Sequence, residues 1–385
     1  MPLPDSILLA FTFAFGCCIG SFLNVVVYRL PRDKSLIHPP SSCPSCGKRI
    51  AFYDNIPLFS WLVLRAKCRK CKARISPRYF IIELLTGLVF VGLFLLLFRS
   101  GFRHHMVAFE DGGWILYLAC VALASGLIAA SAIDIELWII PLSICWFVTA
   151  VGVVVSAAAG YVIDLNAIQQ FHILPSASAA TGTLALGASV GLVIAVVLLA
   201  TGLIKRSYTD EHGLEAAQTK PDPDAEPQFN DRLEVCREML FLTPVVACSI
   251  GAYLLLTRVS SVYAWWVDFS ENAAVSGLLG SLWGYFVGCA VVWATRILGT
   301  LGFGKEAMGL GDVHLMGAAG AIIGPIPVVV AFFVAPFFGL IWAAFQMFFK
   351  KTRQIPYGPF LSLGIFTVMI LHDWIFQNLY MLCYH

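Results

Sequence analysis

The sequence has little charge. Only 12% of its 385 residues are Asp, Glu, Lys or Arg, whereas 59% are hydrophobic. Soluble domains carry about twice that charged fraction, so an ordinary soluble protein is excluded. Several apolar runs reach the roughly 20 residues that cross a bilayer as a helix. We therefore expect an all-α polytopic membrane protein.

Several common catalytic motifs are also missing. The sequence contains no nucleophile elbow, phosphate-binding loop or HExxH zinc motif. Its N-terminus lacks a basic segment and an A-x-A-like cleavage site, so the first apolar run is expected to stay as a membrane span. No internal repeat is evident.

The apolar runs predict nine to ten transmembrane helices. They fall at 6–28, 79–98, 114–134, 138–162, 180–204, 239–257, 274–299, 312–324, 326–348 and 358–378. The region 312–348 is ambiguous, because Pro325 and Pro327 divide it. Three polar stretches separate the spans, at 29–78, 205–238 and 349–357. The second is acidic, and we expect it to be a mobile linker without chemistry.

The distribution of positive charge predicts the orientation. The loop 29–78 carries twelve Lys and Arg but only two acids, which places it in the cytoplasm. Counting spans onward puts 205–238 and 349–357 on the same side and 163–179 outside. The same count places Asp134 and Asp312 at the cytoplasmic ends of their spans.

Four of the twelve cysteines form a metal-binding pattern. Cys43 and Cys46 make one CxxC motif, and Cys68 and Cys71 make a second, with 21 residues between them. This spacing is close to that of tetracysteine zinc sites, and a cytoplasmic loop disfavours disulfides. Four thiolates leave no open coordination position, so the zinc would be structural. Unmetallated or redox-active cysteines remain the alternative.

Two aspartates are the candidate catalytic residues. Asp134 lies in SAIDIELWIIP and Asp312 in GKEAMGLGDVHLM. A carboxylate beside hydrocarbon is costly, and two at one depth suggest acid/base hydrolysis by a carboxylate pair without a catalytic metal. Gly309 and Gly311 would let the backbone approach closely.

Simpler roles remain open for these residues and their neighbours. Asp134 alone could be an interfacial anchor, and Asp312 alone could be a helix-capping residue after a flexible turn. We expect Glu136 to face the lipid headgroups and His314 to be structural. The basic residue Lys305 lies near Asp312 and adds weight to a functional role there.

Five segments together resemble the bacterial type IV prepilin peptidases, which are GxGD-type aspartyl proteases. They are GSFLNVVVYRLP at 20–31, the cysteine-containing segment 41–87, AIDIELWIIP at 132–141, GKEAMGLGDVHLM at 304–316 and IPYGPFLSLG at 355–364. The resemblance covers both ends and the middle of the chain.

The resemblance implies an inner-membrane aspartyl endopeptidase with its active site facing the cytoplasm. Such enzymes remove the short basic leader of prepilins and pseudopilins of type IV pili and type II secretion. Many then methylate the new N-terminus with S-adenosylmethionine. The catalytic pair would be Asp134 and Asp312, and the zinc ligands would be the four cysteines. The expected partners are these substrates and membrane lipid, with no nucleic acid.

The chain departs from the family pattern in a few places. Glu136 stands where the family usually has Asp, and Leu142 where it has a polar residue. About 100 extra residues separate the two aspartate motifs, and no compact methyl-donor motif is visible. The expected division is 1–28 (first helix), 29–78 (cytoplasmic zinc domain), 79–162 (helices with Asp134), 163–273 (insertion with two extra spans) and 274–385 (helices with the GxGD motif).

Two functions of other classes compete with the peptidase. In a proton-coupled transporter the two aspartates would relay protons, as intramembrane acids often do. Their position at one face, and the lack of a repeat, argue weakly against it. A non-catalytic, zinc-bearing platform for pilus or secretion assembly is the other, and retained function of Asp134→Asn would favour it.

Overall fold

The computed structural model describes residues 5–100, 107–164, 174–205, 231–349 and 356–384, together with residues 168 and 207. Over these ranges the chain is helical and has no β-strand, only two isolated bridges in the cysteine loop. The all-α prediction is confirmed. Most of the predicted acidic linker and the basic run 350–355 lie outside the described residues, as do 165–167 and 169–173 of the predicted outer stretch 163–179.

The α-helices follow one another along the whole chain. In order they are α1 (Asp5–Arg29), α2 (Phe59–Val63), α3 (Pro77–Phe98), α4 (Trp114–Leu137), α5 (Leu142–Ala159), α6 (Ala179–Ala200), α7 (Asp231–Arg258), α8 (Ser260–Ser270), α9 (Ala273–Phe303), α10 (Leu310–Ile323), α11 (Pro325–Phe349), α12 (Gly358–Ile370) and α13 (His372–Tyr384).

The described part of the chain contains eight helices long and apolar enough to cross a membrane. A ninth span is counted if α12 and the start of α13, which meet at a bend of 75°, act as one. This is a multi-pass membrane protein. The region predicted to be ambiguous contains α10, whose 14 residues extend about 21 Å. That is shorter than the roughly 30 Å hydrocarbon core, so α10 does not cross it unaided.

Two predicted loops contain helix instead. α7 begins at Asp231, eight residues before the predicted span, so the end of the expected acidic linker is ordered. Asp231 and Glu234 lie in its first turn, where acidic side chains favour a helix N-terminus. The stretch 258–273, which separates two predicted spans, contains α8, whose Trp266 is buried and donates from Nε1 to the Ala179 carbonyl at 2.9 Å.

Local sequence fixes where the helices near the aspartates begin and end. Ser76 caps α3 by accepting a hydrogen bond from the Arg78 amide, and Pro77 occupies the first turn. α4 stops at Trp138, which adopts a left-handed conformation, and Pro141 then precedes α5. Asp134 therefore lies in the last turn of α4.

Small residues bring α9 and α10 into direct backbone contact. A side chain at Gly284 would collide with the Gly320 carbonyl, and one at Gly320 with the Gly284 carbonyl. Gly288 lies in the same way against the Met316 carbonyl. Such small-residue contacts are typical of helix pairs in lipid. They hold α10, which carries Asp312, against the longer α9 within a buried core that also includes α3, α4, α5, α11 and α12.

Candidate active site and metal centre

The two CxxC motifs fold into nearly identical turns. In the first, the Cys43 amide donates to the Lys48 carbonyl at 3.0 Å and the Gly47 amide donates to the Cys43 carbonyl at 2.8 Å. In the second, the Cys68 amide donates to Ala73 at 2.8 Å and the Lys72 amide to Cys68 at 3.0 Å. An isolated antiparallel bridge closes each turn. The two motifs therefore share a backbone geometry as well as the CxxC spacing.

The fifth residue of each turn adopts a left-handed backbone conformation. Gly47 has φ +67° and Lys72 has φ +60°. Glycine takes this conformation at no steric cost, whereas a lysine does so against a penalty of roughly 1–2 kcal/mol. The shared geometry at Lys72 is thus imposed by the turn and not preferred by the residue.

The four sulfur atoms meet the requirements of a tetrahedral zinc site. All four lie within 4.8 Å of one another, and Cys43 Sγ is 3.8 Å from Cys71 Sγ. Zinc–sulfur bonds of about 2.3 Å in a tetrahedron place sulfurs about 3.8 Å apart. The cysteines therefore fit the predicted structural zinc.

Backbone amides stabilise thiolates at the first cysteine of each turn. The Cys46 and Ser45 N–H groups lower the pKa of Cys43. The equivalent N–H groups of Cys71 and Lys70 lower the pKa of Cys68 to about 6. Zinc binds thiolate, not thiol, so each turn favours the metal-binding form of its first cysteine.

Asp134 lies next to the first residue of α12. Its side chain is 6% exposed, and its Oδ2 accepts a hydrogen bond of 2.9 Å from the Gly358 amide, at the first residue of that helix. The N-terminus of a helix favours negative charge. A Cβ at Gly358 would lie 2.7 Å from Asp134 Oδ2, so this contact requires glycine.

Asp312 lies in the first turn of α10, and its amide donates to the Gly309 carbonyl at 3.2 Å. The two glycines of its motif differ in role. A Cβ at Gly311 would lie 2.7 Å from Ile140 Cβ and 3.0 Å from the Ile140 carbonyl, so Gly311 lets α10 approach the chain that follows Asp134. Gly309 has φ −73°, and a Cβ there would meet Asp312 Oδ2 at an ordinary 3.6 Å.

Both aspartates line one open cavity of about 410 Å³. The segment 138–142 forms one wall, the segment 309–311 another, and Pro356 and Tyr357 close a third side. The structure thus brings together Asp134, Asp312 and both motif glycines, which the sequence had singled out separately.

The neighbouring polar residues point elsewhere. Glu136 forms an ion pair with Arg78 at the start of α3. His314 Nδ1 lies 2.8 Å from the Tyr285 hydroxyl, and its ring packs near Trp146. Lys305 is exposed and does not line the cavity. His314 thus makes packing contacts, as a structural residue would, whereas Glu136, which was expected to face the lipid headgroups, pairs with Arg78.

Sequence reasoning missed the partners of the two aspartate motifs. Gly358 belongs to a segment noted for its resemblance, but its contact with Asp134 was not foreseen. A buried arginine, Arg296, contacts the loop before Asp312 and pairs with Glu238. Arg296 is a charged residue inside the predicted span 274–299, and such a charge needs a partner. The sequence could therefore have indicated that a buried partner exists.

Two parts of the chain match known protein families. Residues 14–97 match the Bacterial Peptidase A24 N-terminal domain, and residues 242–344 match the Type IV leader peptidase family. The first contains the four cysteines and the second contains Asp312, whereas Asp134 lies between them.

Curated relatives are named as enzymes that process prepilins. The chain is 42% identical over 157 residues to a prepilin leader peptidase/N-methyltransferase of Myxococcus xanthus, covering 41% of this chain and 42% of the relative. It is 31% identical over 211 residues to the Neisseria gonorrhoeae protein of that name, covering 49% and 65%. The resemblance is therefore confirmed, while the matches span only about two fifths to two thirds of these relatives. No solved structure matches the chain significantly.

Proposed function

We propose that this protein is an aspartyl endopeptidase that removes the short basic leader of type IV prepilins and pseudopilins. One observation carries the proposal: Asp134 from α4 and Asp312 from α10 line the same cavity. The names of the curated relatives, prepilin leader peptidase/N-methyltransferase, supply the substrate class.

A shared proton explains how two carboxylates could hydrolyse a peptide bond. Two carboxyl groups at one site do not both ionise easily, so one carboxylate accepts a proton from a water molecule. The water oxygen forms a bond to the scissile carbonyl carbon, while the protonated carboxyl donates its proton to the carbonyl oxygen. The tetrahedral intermediate then collapses, and the C–N bond breaks as the amine is protonated. The pair titrates as a unit.

The surrounding backbone would keep this pair in position. The Gly358 amide fixes one oxygen of Asp134, which leaves the other oxygen for water or substrate. The absence of a side chain at Gly309 leaves space beside Asp312 Oδ2. We infer that an extended peptide enters between the wall 138–142 and the segment 309–311.

The active site is proposed to face the cytoplasm of a bacterial cell, at the inner membrane. The twelve Lys and Arg of the loop 29–78 support this orientation through the positive-inside rule. That loop is tied to the aspartate-bearing helix, because Arg78 pairs with Glu136, two residues after Asp134. The cysteine turns would hold a structural zinc in the same loop.

We also propose that the protein methylates the N-terminus that cleavage creates, with S-adenosylmethionine as the methyl donor. The support is the second activity in the relatives' names.

Mass spectrometry of a coexpressed prepilin tests both activities at once. The wild-type protein should yield a pilin that lacks its leader and carries one N-terminal methyl group. Asp312→Asn should yield only the full-length prepilin, because the replacement keeps the shape of the side chain but cannot exchange a proton. Asp268→Asn, on the exposed surface of α8, is the matched control and should process as the wild type does.

Each outcome is informative. An unprocessed prepilin with the wild-type protein would contradict the peptidase, and a processed but unmethylated pilin would contradict only the methyl transfer. Processing by Asp312→Asn would contradict the assignment of Asp312 to the catalytic pair.

A further inference from the structure

A buried ion pair connects α7 to α9. Arg296 Nε donates to Glu238 Oε1 at 2.6 Å, and the two side chains are only 3% and 2% exposed. The indole Nε1 of Trp293 donates to the other carboxylate oxygen at 3.2 Å. Both oxygens of Glu238 are therefore occupied, and its charge is directed at Arg296.

The same arginine also holds the loop that leads to Asp312. Its Nη1 donates to the Met308 carbonyl at 2.7 Å, and its Nη2 lies 3.0 Å from Glu306 Oε1. Met308 immediately precedes Gly309, whose carbonyl accepts from the Asp312 amide. One guanidinium thus joins α7 to the turn that presents a cavity aspartate.

The chemistry of the contact explains why arginine is needed. A guanidinium offers several N–H donors in a rigid, planar fork, whereas a lysine offers one flexible point charge. Only the fork can bond Glu238, the Met308 carbonyl and Glu306 at once. Charged groups inside a membrane protein are costly and persist where they are paired and used. Without Glu238, the guanidinium would lose its fully buried anion, whereas Glu306 is 43% exposed.

We infer that Glu238 and Arg296 are positioning residues, which set the place of Asp312 by fixing the loop 304–309. The inference rests on the proposed function. It gives α7, which the sequence assigned to an insertion of unknown role, a direct effect on the active site. Both side chains are buried, so they would act through the loop and not by touching the substrate.

Cleavage kinetics of a synthetic prepilin peptide test this inference in the purified full-length protein. Glu238→Gln should lower kcat at least tenfold with little change in KM, because misplacing a catalytic group by about 1 Å can cost up to about a hundredfold. Arg296→Lys should lose a similar factor, since it keeps the charge but not the fork. With Arg296→Met already present, adding Glu238→Gln should change kcat no further.

A second measurement does not depend on activity. Trypsin cuts after Lys305, which is exposed in the loop that Arg296 holds. Release of the loop in Glu238→Gln should speed the appearance of a fragment that ends at Lys305, detected by mass spectrometry. Glu234→Gln, the same substitution one turn earlier on α7, is the matched control and should match the wild type in both measurements.

The result that would overturn the inference is a folded Glu238 or Arg296 variant with wild-type kcat and wild-type protection of Lys305. If Glu238→Gln does not accumulate, Glu238→Asp and Arg296→Lys carry the test, because both retain the buried charges. If the wild type cleaves no prepilin, the proposed function fails, while the trypsin measurement still decides whether Glu238 holds the loop.

Discussion

The cysteine turns and the aspartate cavity differ in how far apart along the sequence their residues lie. The cysteine site uses two turns of one loop, and each turn has backbone hydrogen bonds of its own. The cavity uses the end of α4, the start of α10 and the segment before α12. These three segments are brought together only by the packing of the helix bundle.

This difference determines which substitutions each site tolerates. The cysteine site depends on its ligands and on local backbone conformation. Substitutions there should therefore alter the structure of the loop and not that of the helix bundle. The cavity depends on close approaches between distant segments, such as Gly358 on Asp134 and Gly311 on Ile140. A single methyl group at such a contact should therefore affect catalysis without touching the substrate.

The largest expected effect is loss of metal from the cysteine site. The wild-type protein should contain about one zinc per chain, the content of a single four-thiolate site. Replacing Cys43, Cys46, Cys68 and Cys71 by serine should remove it entirely, as measured by elemental analysis. Full zinc content in this quadruple variant would place the ligands elsewhere.

Gly358→Ala should reduce prepilin cleavage by about a hundredfold, because the added methyl group displaces the Asp134 carboxylate. The zinc content should not change, which would separate the two sites. Gly92→Ala is the control, since a Cβ at this α3 position meets nothing within 4 Å. Equal cleavage rates for the two variants would mean that the Gly358 contact does not position Asp134.

The two glycines of the GxGD motif should respond differently. Gly311→Ala should lower both the cleavage rate, by about tenfold, and the thermal stability, because its Cβ collides with Ile140. Gly309→Ala should leave the thermal stability unchanged, since neither its φ nor its surroundings require glycine. A thermal melt of both purified variants checks this, and equal losses of stability would contradict it.

The smallest effect is expected within the cysteine turns. Gly47→Ala should destabilise the zinc-bound loop by about 1 kcal/mol, because alanine is strained at positive φ. Lys72→Gly relieves that strain at the equivalent position and should change stability by less. Competition for zinc with a chelator measures both variants. A larger loss from Lys72→Gly than from Gly47→Ala would show that the two turns are not equivalent.

The sequence predicted nearly all of the cysteine site, because both CxxC turns are local and their common spacing is visible in the sequence. It also predicted that Asp134 and Asp312 belong together, from charge bias and the parity of the spans. The contact of Gly358 could not be predicted, because it depends on where α12 begins relative to the end of α4. Glu238 was missed for a related reason: it is the last residue of the polar stretch 205–238, and only packing against α9 shows that it is buried.

Comparing single and double aspartate variants tests the central claim most directly. Initial rates of prepilin cleavage should be measured for Asp134→Asn, Asp312→Asn and the double variant, each shown to insert and bind zinc normally. Two carboxyl groups that act as one unit predict that each single variant loses as much activity as the double variant. Substantial cleavage by either single variant would contradict a shared catalytic site.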